Sequence, residues 1–509
     1  DAWAATSTVV ANRGNSMFYP ENTTSSIAAA TGKADMVLIS VRKSSDGALV
    51  VIHDDTLNRT TNGTGAVDAT TLAQLKTLDA GTKFDASFAG LEIPTLAEAV
   101  VAAQNAGLVP VIDRRSGDIN ASELADELTN LGVADSAVVL SDDLNFLSDL
   151  NAYASNIRLA ALVTGGAPLK ATSVTQAAAT GAKILVVDRS VIASTDDVDL
   201  AHASPMELFA ANADGGAIQR MMDLNVDGVI SNDPALVSEV LGRINPYVPG
   251  ALDNGLVSYW RLDDALYNES PSEARDSRGP NPGSLVNNPT WTTAAPDAKF
   301  GGAVSFNGTN QAVLFPASET LDIGTTGVTL SLWVKLGQLP SELPTTFGGI
   351  FDSVEDSYVI YLDRTNNELR TKVTAGTSDA ASPGVPASVL DKTGWHHVVA
   401  VYDGTWGPLA GETRIYYDGK LMDCHAGIDN SSPAKGMTGL VKPGQIAALG
   451  RNGSQAANYF TGQIDDVAVW NRPLSSDEIR AIYDAGQNGD PLATMVTVVT
   501  AARDWSLFE

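Results

Sequence analysis

Hydrophobic positions fall into two rhythms along the chain. Through about residue 243, short Val/Ile/Leu runs alternate with Ala-rich stretches whose apolar positions recur at helical spacing. The runs are Thr8–Ala11, Met36–Val41, Leu108–Ile112, Ala137–Leu140, Leu159–Val163, Ile184–Val187, Glu207–Ala211 and Gly228–Ile230. Helix-like segments between them include Thr95–Asn105, Ala121–Leu131, Leu144–Tyr153 and Ala217–Leu224. Eight buried strands alternating with helices over residues 1–243 predict a (β/α)8 TIM barrel, with chemistry expected at the carboxyl ends of its strands. One insertion, "ALVVIHDDTLNRTTNGTG", adds a hairpin-like strand after the second run and then a turn-rich loop.

Residues 244–254 read as a Pro/Gly-punctuated linker. From 255 to 487 the pattern becomes alternating strands with frequent turns ("GLVSYWRL", "VTLSLWVKL", "WHHVVAVYDG", "IDDVAVWN"), which predicts an all-β jelly-roll sandwich. A single helix, "SSDEIRAIYDAG", carries a Ser cap, an acidic first turn and a Gly stop. Residues 488–509 read as a C-terminal tail whose apolar Met495–Val499 segment has no evident partner.

Charge and cysteine usage narrow the function classes. With 60 acidic against 32 basic residues and a net charge of −28, the chain is a poor partner for nucleic acid or an anionic membrane. No apolar run approaches the roughly 18–20 residues of a membrane span. Cys424 is the single cysteine, so neither an internal disulfide nor a cysteine zinc site can form. The chain begins at Asp1 rather than at methionine, as a processed or trimmed protein would, and the single cysteine is compatible with cytosol or secretion; an extracellular location is expected.

The segments "PENT", "SSDGALVVIHDDTLNRTTNGTG", "LDAGTKFDASFAGLEIPTLAEA" and "NVDGVISNDP" resemble the glycerophosphodiester phosphodiesterase family across essentially the whole first half. The second half is similar to laminin-G/concanavalin A-like lectin domains, on "LVSYWRLDD", "FGGAVSFNG", "WHHVVAVYDG" and "GQIDDVAVWNRPLSSDEIRAIY". The first resemblance implies a metal-dependent enzyme with His-Arg on the first strand and Glu-x-Asp on the second. It also implies His-Asp on the insertion and Glu-x-Lys at the third barrel strand. Carboxylates there hold a divalent cation, histidines serve as acid and base, and basic residues bind phosphate.

This chain departs from that pattern at selected points. Asn12 stands in the first histidine's place beside a retained Arg13, and Leu38-Ile39-Ser40 replaces Glu-x-Asp. His53-Asp54 is intact, and the third pair survives as Asp113 and Arg115. The resemblance also places an aromatic ligand contact at Phe209, near Asn212. An amide cannot shuttle a proton near neutral pH, and a hard cation needs several oxygen ligands. The metal-assisted mechanism is therefore expected to be absent, with no cofactor in the barrel.

A polar pocket of Asn12, Arg13, Glu21, His53, Asp113 and Arg115 remains. The leading expectation is metal-independent cleavage, by hydrolysis or elimination, of an extracellular polysaccharide or glycoconjugate. His53 and Asp113 would be catalytic, with Glu21 or Asp188 as further candidates. Arg13, Glu21, Arg115, Phe209 and Asn12 would bind substrate, and the two arginines favour an anionic one. The lectin-like half would serve as a targeting module. Two alternatives stay open: a non-catalytic carbohydrate- or phosphate-binding pseudo-enzyme, and a phosphodiesterase acting on glycerophosphodiesters or teichoic-acid-like polymers. In the second half, Asp263, Asp276 and Asp465 are the candidates for a structural calcium ion. Trp406 is the candidate sugar-stacking ring. One of His396 and His397 is expected to face the core, while His202 and His425 are read as loop residues.

Overall fold

Nine strands in the first half form one sheet: β1 (Thr8–Asn12), β2 (Met36–Lys43), β3 (Leu49–Val51), β4 (Val109–Arg114), β5 (Val138–Ser141), β6 (Arg158–Val163), β7 (Ile184–Asp188), β8 (Glu207–Ala211) and β9 (Gly228–Ser231). This computed structural model describes residues 7–498 except 167, 267–271, 294–297, 324–325, 354–357, 376–377, 380–382, 407–410, 427–445 and 453–455. Within the sheet β3 is antiparallel to β2, and the other eight strands run parallel. β1 pairs with both β2 and β9, which closes the barrel.

Alternation along each strand sends one set of side chains inward. Val10, Met36, Leu38, Val111, Val138, Leu140, Ala160, Ile184, Val186, Phe209 and Ile230 pack together in the interior. The opposite set, including Val9, Val37, Ile112, Val139, Leu185 and Leu208, is equally buried, as expected of strands covered on both faces. Phe209 is only 1% exposed. A Cβ on Gly228 of the next strand would lie 2.7 Å from its ring, so glycine there makes room for the phenyl group. The ligand contact expected at Phe209 is thus corrected to a core-filling role. Most barrel helices start on side-chain caps, those after Lys170 and Gly215 excepted. Thr95 and Glu98 form a capping box at the head of Leu96–Asn105, and Asp143 caps Leu144–Tyr153.

The chain divides into two compact units between Ile244 and Asn245. The second unit is built from two antiparallel sheets. In one, Gly327–Leu336 is central, paired with His396–Asp403 and with Thr461–Trp470. In the other, Phe347–Ser353 pairs with Tyr358–Asp363 and Ala447–Leu449. Trp260, Phe306, Phe315, Leu330, Leu332, Phe351, Ile360, Phe460 and Val467 belong to one hydrophobic core, with the rings of Trp260 and Phe315 4.2 Å apart.

The outer face of the first sheet carries a second packing layer. Asp465, Trp333 and His397 stand side by side on three adjacent strands, next to the helix Ser476–Gln487. Ser475 caps this helix as expected, but Gly486 does not stop it. A Cβ at Gly486 would meet Trp333 at 2.2 Å, so the glycine permits close approach instead. The buried histidine of the pair is His397, and it faces this layer rather than the core between the sheets. His202 ends the helix Thr195–His202 and His425 lies on the strand Lys420–Ala426, so neither is a loop residue. Past the helix the chain docks on the same unit. Leu492 N–H donates to Asp466 at 2.9 Å, Ala493 N–H to the Tyr259 hydroxyl at 3.0 Å, and Thr497 N–H to Asp253 at 2.9 Å. Residues 499–509 lie outside the described residues.

Candidate functional site

β1 ends in Asn12, and the chain turns at once through Arg13 (φ 58°) and Gly14 (φ 90°). A Cβ at Gly14 would lie 2.4 Å from Ser26, so the turn needs glycine. Asn12 is 8% exposed and its amide donates to Asn232 Oδ1 at 3.0 Å. Asn232 in turn donates to Asp214 at 2.6 Å, and the Ser16 hydroxyl lies 2.8 Å from Asn232 Oδ1. The position where the family resemblance expects a histidine is therefore a fixed member of an amide–carboxylate network. Arg13 pairs with Glu21 at 3.2 Å.

At β2, inward alternation delivers Leu38 into the apolar interior and Ser40 to the strand mouth. Ser40 is directly opposite Asp113 of β4, and its hydroxyl donates to that carboxylate at 3.0 Å. Asp113 is 5% exposed and lies 3.7 Å from Arg115. Burial pushes its pKa above the ordinary carboxylate value, against the Arg115 charge and the Ser40 hydrogen bond. Arg114, one residue off in the alternation, points away. It stacks on Phe146 at 4.1 Å and donates to the Ile119 and Gly117 carbonyls, which makes it structural.

His53 follows β3 and hydrogen-bonds Asp54 through Nδ1 at 2.8 Å. Burial disfavours the imidazolium, and Arg13 and Arg115 repel it, so its pKa lies below the ordinary value despite Asp54 and Asp113. Ionised Asp54 accepts the Nδ1 proton, which leaves Nε2 as the lone-pair nitrogen of a neutral ring. Arg59, hydrogen-bonded to Asp54, holds that carboxyl far below its usual range. For Glu21, burial pushes the pKa up, but the hydrogen bond from Arg59 and the charges of Arg13 and Arg59 outweigh it. A small cleft beside His53 is lined by Glu21, Asn22, Ile52, Thr60, Thr61 and Pro94.

The structure thus gathers Arg13, Glu21, His53, Asp113 and Arg115 into one electrostatic unit at the mouth of β1, β2 and β4, with Asn12 on its flank. Asp188 at the end of β7 is engaged by Asn212 at 2.8 Å and by Ser190. The sequence reading missed Arg59 and Asn232, although both lie in segments that carry the family resemblance, and missed Asp214, which lies in none of them.

A divalent cation does not fit these residues. Leu38 offers no donor, the Ser40 hydroxyl is directed at Asp113, and among the described residues no three His, Cys, Asp or Glu side chains group to hold a metal ion. The expected calcium ligands are also not brought together. Asp276 caps the backbone N–H groups of Tyr259, Arg278, Gly279 and Asn281. Asp263 pairs with Arg261 at 2.7 Å, and Asp465 accepts from the N–H of Phe300 at 2.9 Å. One face of the candidate stacking ring Trp406 is covered by the Arg414 guanidinium at 4.0 Å, and the neighbouring residues 407–410 lie outside the described residues.

Residues 13–236 match the model of the glycerophosphoryl diester phosphodiesterase family, and residues 307–480 that of the concanavalin A-like lectin/glucanases superfamily. A glycerophosphodiester phosphodiesterase of Caldanaerobacter subterraneus subsp. tengcongensis is 50% identical over 91 residues, 18% of this chain and 37% of that protein. Human glycerophosphodiester phosphodiesterase 1 is 37% identical over 117 residues, 22% of this chain and 35% of its own length. The chain thus spans little more than a third of either relative. The crystal structure of a glycerophosphodiester phosphodiesterase from Agrobacterium tumefaciens is 27% identical with a TM-score of 0.40, covering 46% of this chain and 99% of that one.

Proposed function

From residues 13–236 as a domain of the glycerophosphoryl diester phosphodiesterase family, we propose that the barrel binds an anionic ester or acidic glycan without a divalent cation. In the same reading, the concanavalin A-like domain holds the protein on polysaccharide outside the cell. One observation carries this. The cations Arg13 and Arg115 and the His53 ring converge on a single mouth, while Leu38 and the engaged Ser40 occupy the positions that a cation would need. Guanidinium groups match phosphate and carboxylate geometry, and the Asn12 amide offers hydrogen bonds but no proton transfer. Tethering by a second domain raises the local concentration of a polymer-borne ligand.

A second reading, metal-independent cleavage, is favoured by the opposed titrations of His53 and Asp113. A neutral imidazole is a base at neutral pH, and a buried carboxyl with a raised pKa is a candidate acid. Calorimetric titration of the full chain with inorganic phosphate, with and without EDTA, separates these outcomes when joined to a turnover panel of polysaccharides and glycerophosphodiesters. The binding reading expects chelator-independent phosphate binding without turnover. It also expects roughly fivefold tighter binding in Asp113→Asn, because the anion next to Arg115 is removed. Chelator-resistant cleavage abolished by Asp113→Asn would establish the second reading. Chelator-sensitive phosphodiester release would overturn both.

A further inference from the structure

Arg59 lies in the loop after β3 and reaches two carboxylates at once. Its Nη1 and Nη2 donate to the two oxygens of Glu21 at 2.7 and 2.8 Å. Its Nε and Nη2 donate to the two oxygens of Asp54 at 2.7 and 2.9 Å. Each carboxylate then touches a different group of the site: Glu21 meets Arg13 at 3.2 Å, and Asp54 meets His53 Nδ1 at 2.8 Å. Exposed ion pairs contribute little to stability, and the Arg59 side chain is 49% exposed, so stability alone is a poor account of this fork. Its partners are more enclosed, at 17% for Glu21 and 24% for Asp54. A planar guanidinium with paired donors fixes their direction as well as their distance.

We propose that Arg59 is a positioning residue, setting the His53 ring through Asp54 and the Arg13 guanidinium through Glu21 so that both are presented to the strand mouth together. The purpose of this arrangement rests on the anion-binding reading above, but the arrangement itself can be tested in the ligand-free protein. The charged groups facing His53 are Asp54 on its own segment, Arg13 and Glu21 from the loop after β1, and Asp113 and Arg115 at the end of β4. Arg42 of β2 donates to the His53 carbonyl at 2.8 Å. Against that background, removing Arg59 takes a cation from the neighbourhood and frees Asp54 to bond the ring alone. Both changes favour the imidazolium. Removing the Glu21 charge takes away an anion and has the opposite sign.

The experiment is an NMR titration of the full chain carrying 13C-labelled histidine. Its five histidines give few signals, and His53 is assigned by its loss in His53→Gln. In Arg59→Met the His53 midpoint is expected to rise by about one pH unit, while in Glu21→Gln it does not rise. An unchanged midpoint in Arg59→Met overturns the proposal. So does an equal rise in both variants, which would indicate a loosened loop rather than a fork. Should Arg59→Met fail to fold, Arg59→Gln is read by the same two criteria. Titration of the natural chain with inorganic phosphate keeps the two readings apart, since absent phosphate binding defeats the anion-binding reading and leaves the histidine midpoints to decide on Arg59.

Discussion

Leu38 and Ser40 each do something definite where a cation site would need carboxylates. Leu38 adds apolar volume to the barrel interior, and Ser40 hydrogen-bonds the carboxylate facing it across the β2–β4 ladder. Because Asp113 sits directly opposite residue 40, the double substitution Leu38→Glu/Ser40→Asp would place three carboxylates around one mouth, enough oxygen donors for a hard cation. Calorimetric titration with Ca2+ or Mg2+ is expected to show binding at least about tenfold tighter than in the natural chain. Equal affinity in the two proteins would refute the reading that Leu38 and Ser40 keep a cation out of the barrel.

The outer layer of the sandwich sets a distinctive pH response at the scale of a strand and its covering helix. His397 is fully buried against Trp333, with Ser331 2.8 Å from its Nε2. Burial, with the Lys299 charge adding to it and Asp418 opposing, lowers its pKa from 6.5 to about 3. The unfolded chain takes up a proton there near pH 6.5, whereas the folded protein does not until about pH 3, so this residue costs stability as pH falls below 6.5. At pH 5 that cost is about 2 kcal/mol. Asp465 and Asp466 act with the opposite sign. Their raised pKa values contribute stability at low pH that is lost as pH rises through the folded values, about 6 for Asp466. His397→Gln removes only the histidine contribution. Its melting temperature is expected to fall less than that of the natural chain between pH 7 and pH 5, which a calorimetric pH series would check.

For the whole molecule, the two units have separate cores, one inside the barrel and one between the sandwich sheets. Residues 1–244 and residues 245–509, expressed separately, are each expected to melt cooperatively, as a unit with its own core should. In a pull-down with an insoluble neutral polysaccharide, which offers the barrel no anionic group, the second fragment is expected to be retained like the full chain, and the first is not. Retention of the barrel fragment alone would reassign the targeting role.

Strand and helix periodicity was legible in the sequence because burial on both faces forces continuous apolar runs and burial on one face forces helical spacing. The barrel strands fall within two residues of the runs read from sequence, for example Ile184–Asp188 against Ile184–Val187 and Met36–Lys43 against Met36–Val41. The candidate pocket was legible through the family resemblance, which sets Asn12, His53, Asp113 and Arg115 against that family's motif positions, and alternation places Asp113 and Arg115 on one face of the strand end. Contacts between residues distant in sequence were not. Phe209 fills the core because the neighbouring strand offers Gly228, and Gly486 continues a helix because Trp333 lies beneath it. Arg59 couples Glu21 to Asp54 only because the loops after β1 and β3 meet. Local patterning determined which elements form and which residue types reach the mouth. Tertiary packing alone decided which of those side chains are engaged, because hydrogen bonds and close approaches depend on neighbours that sequence spacing does not specify.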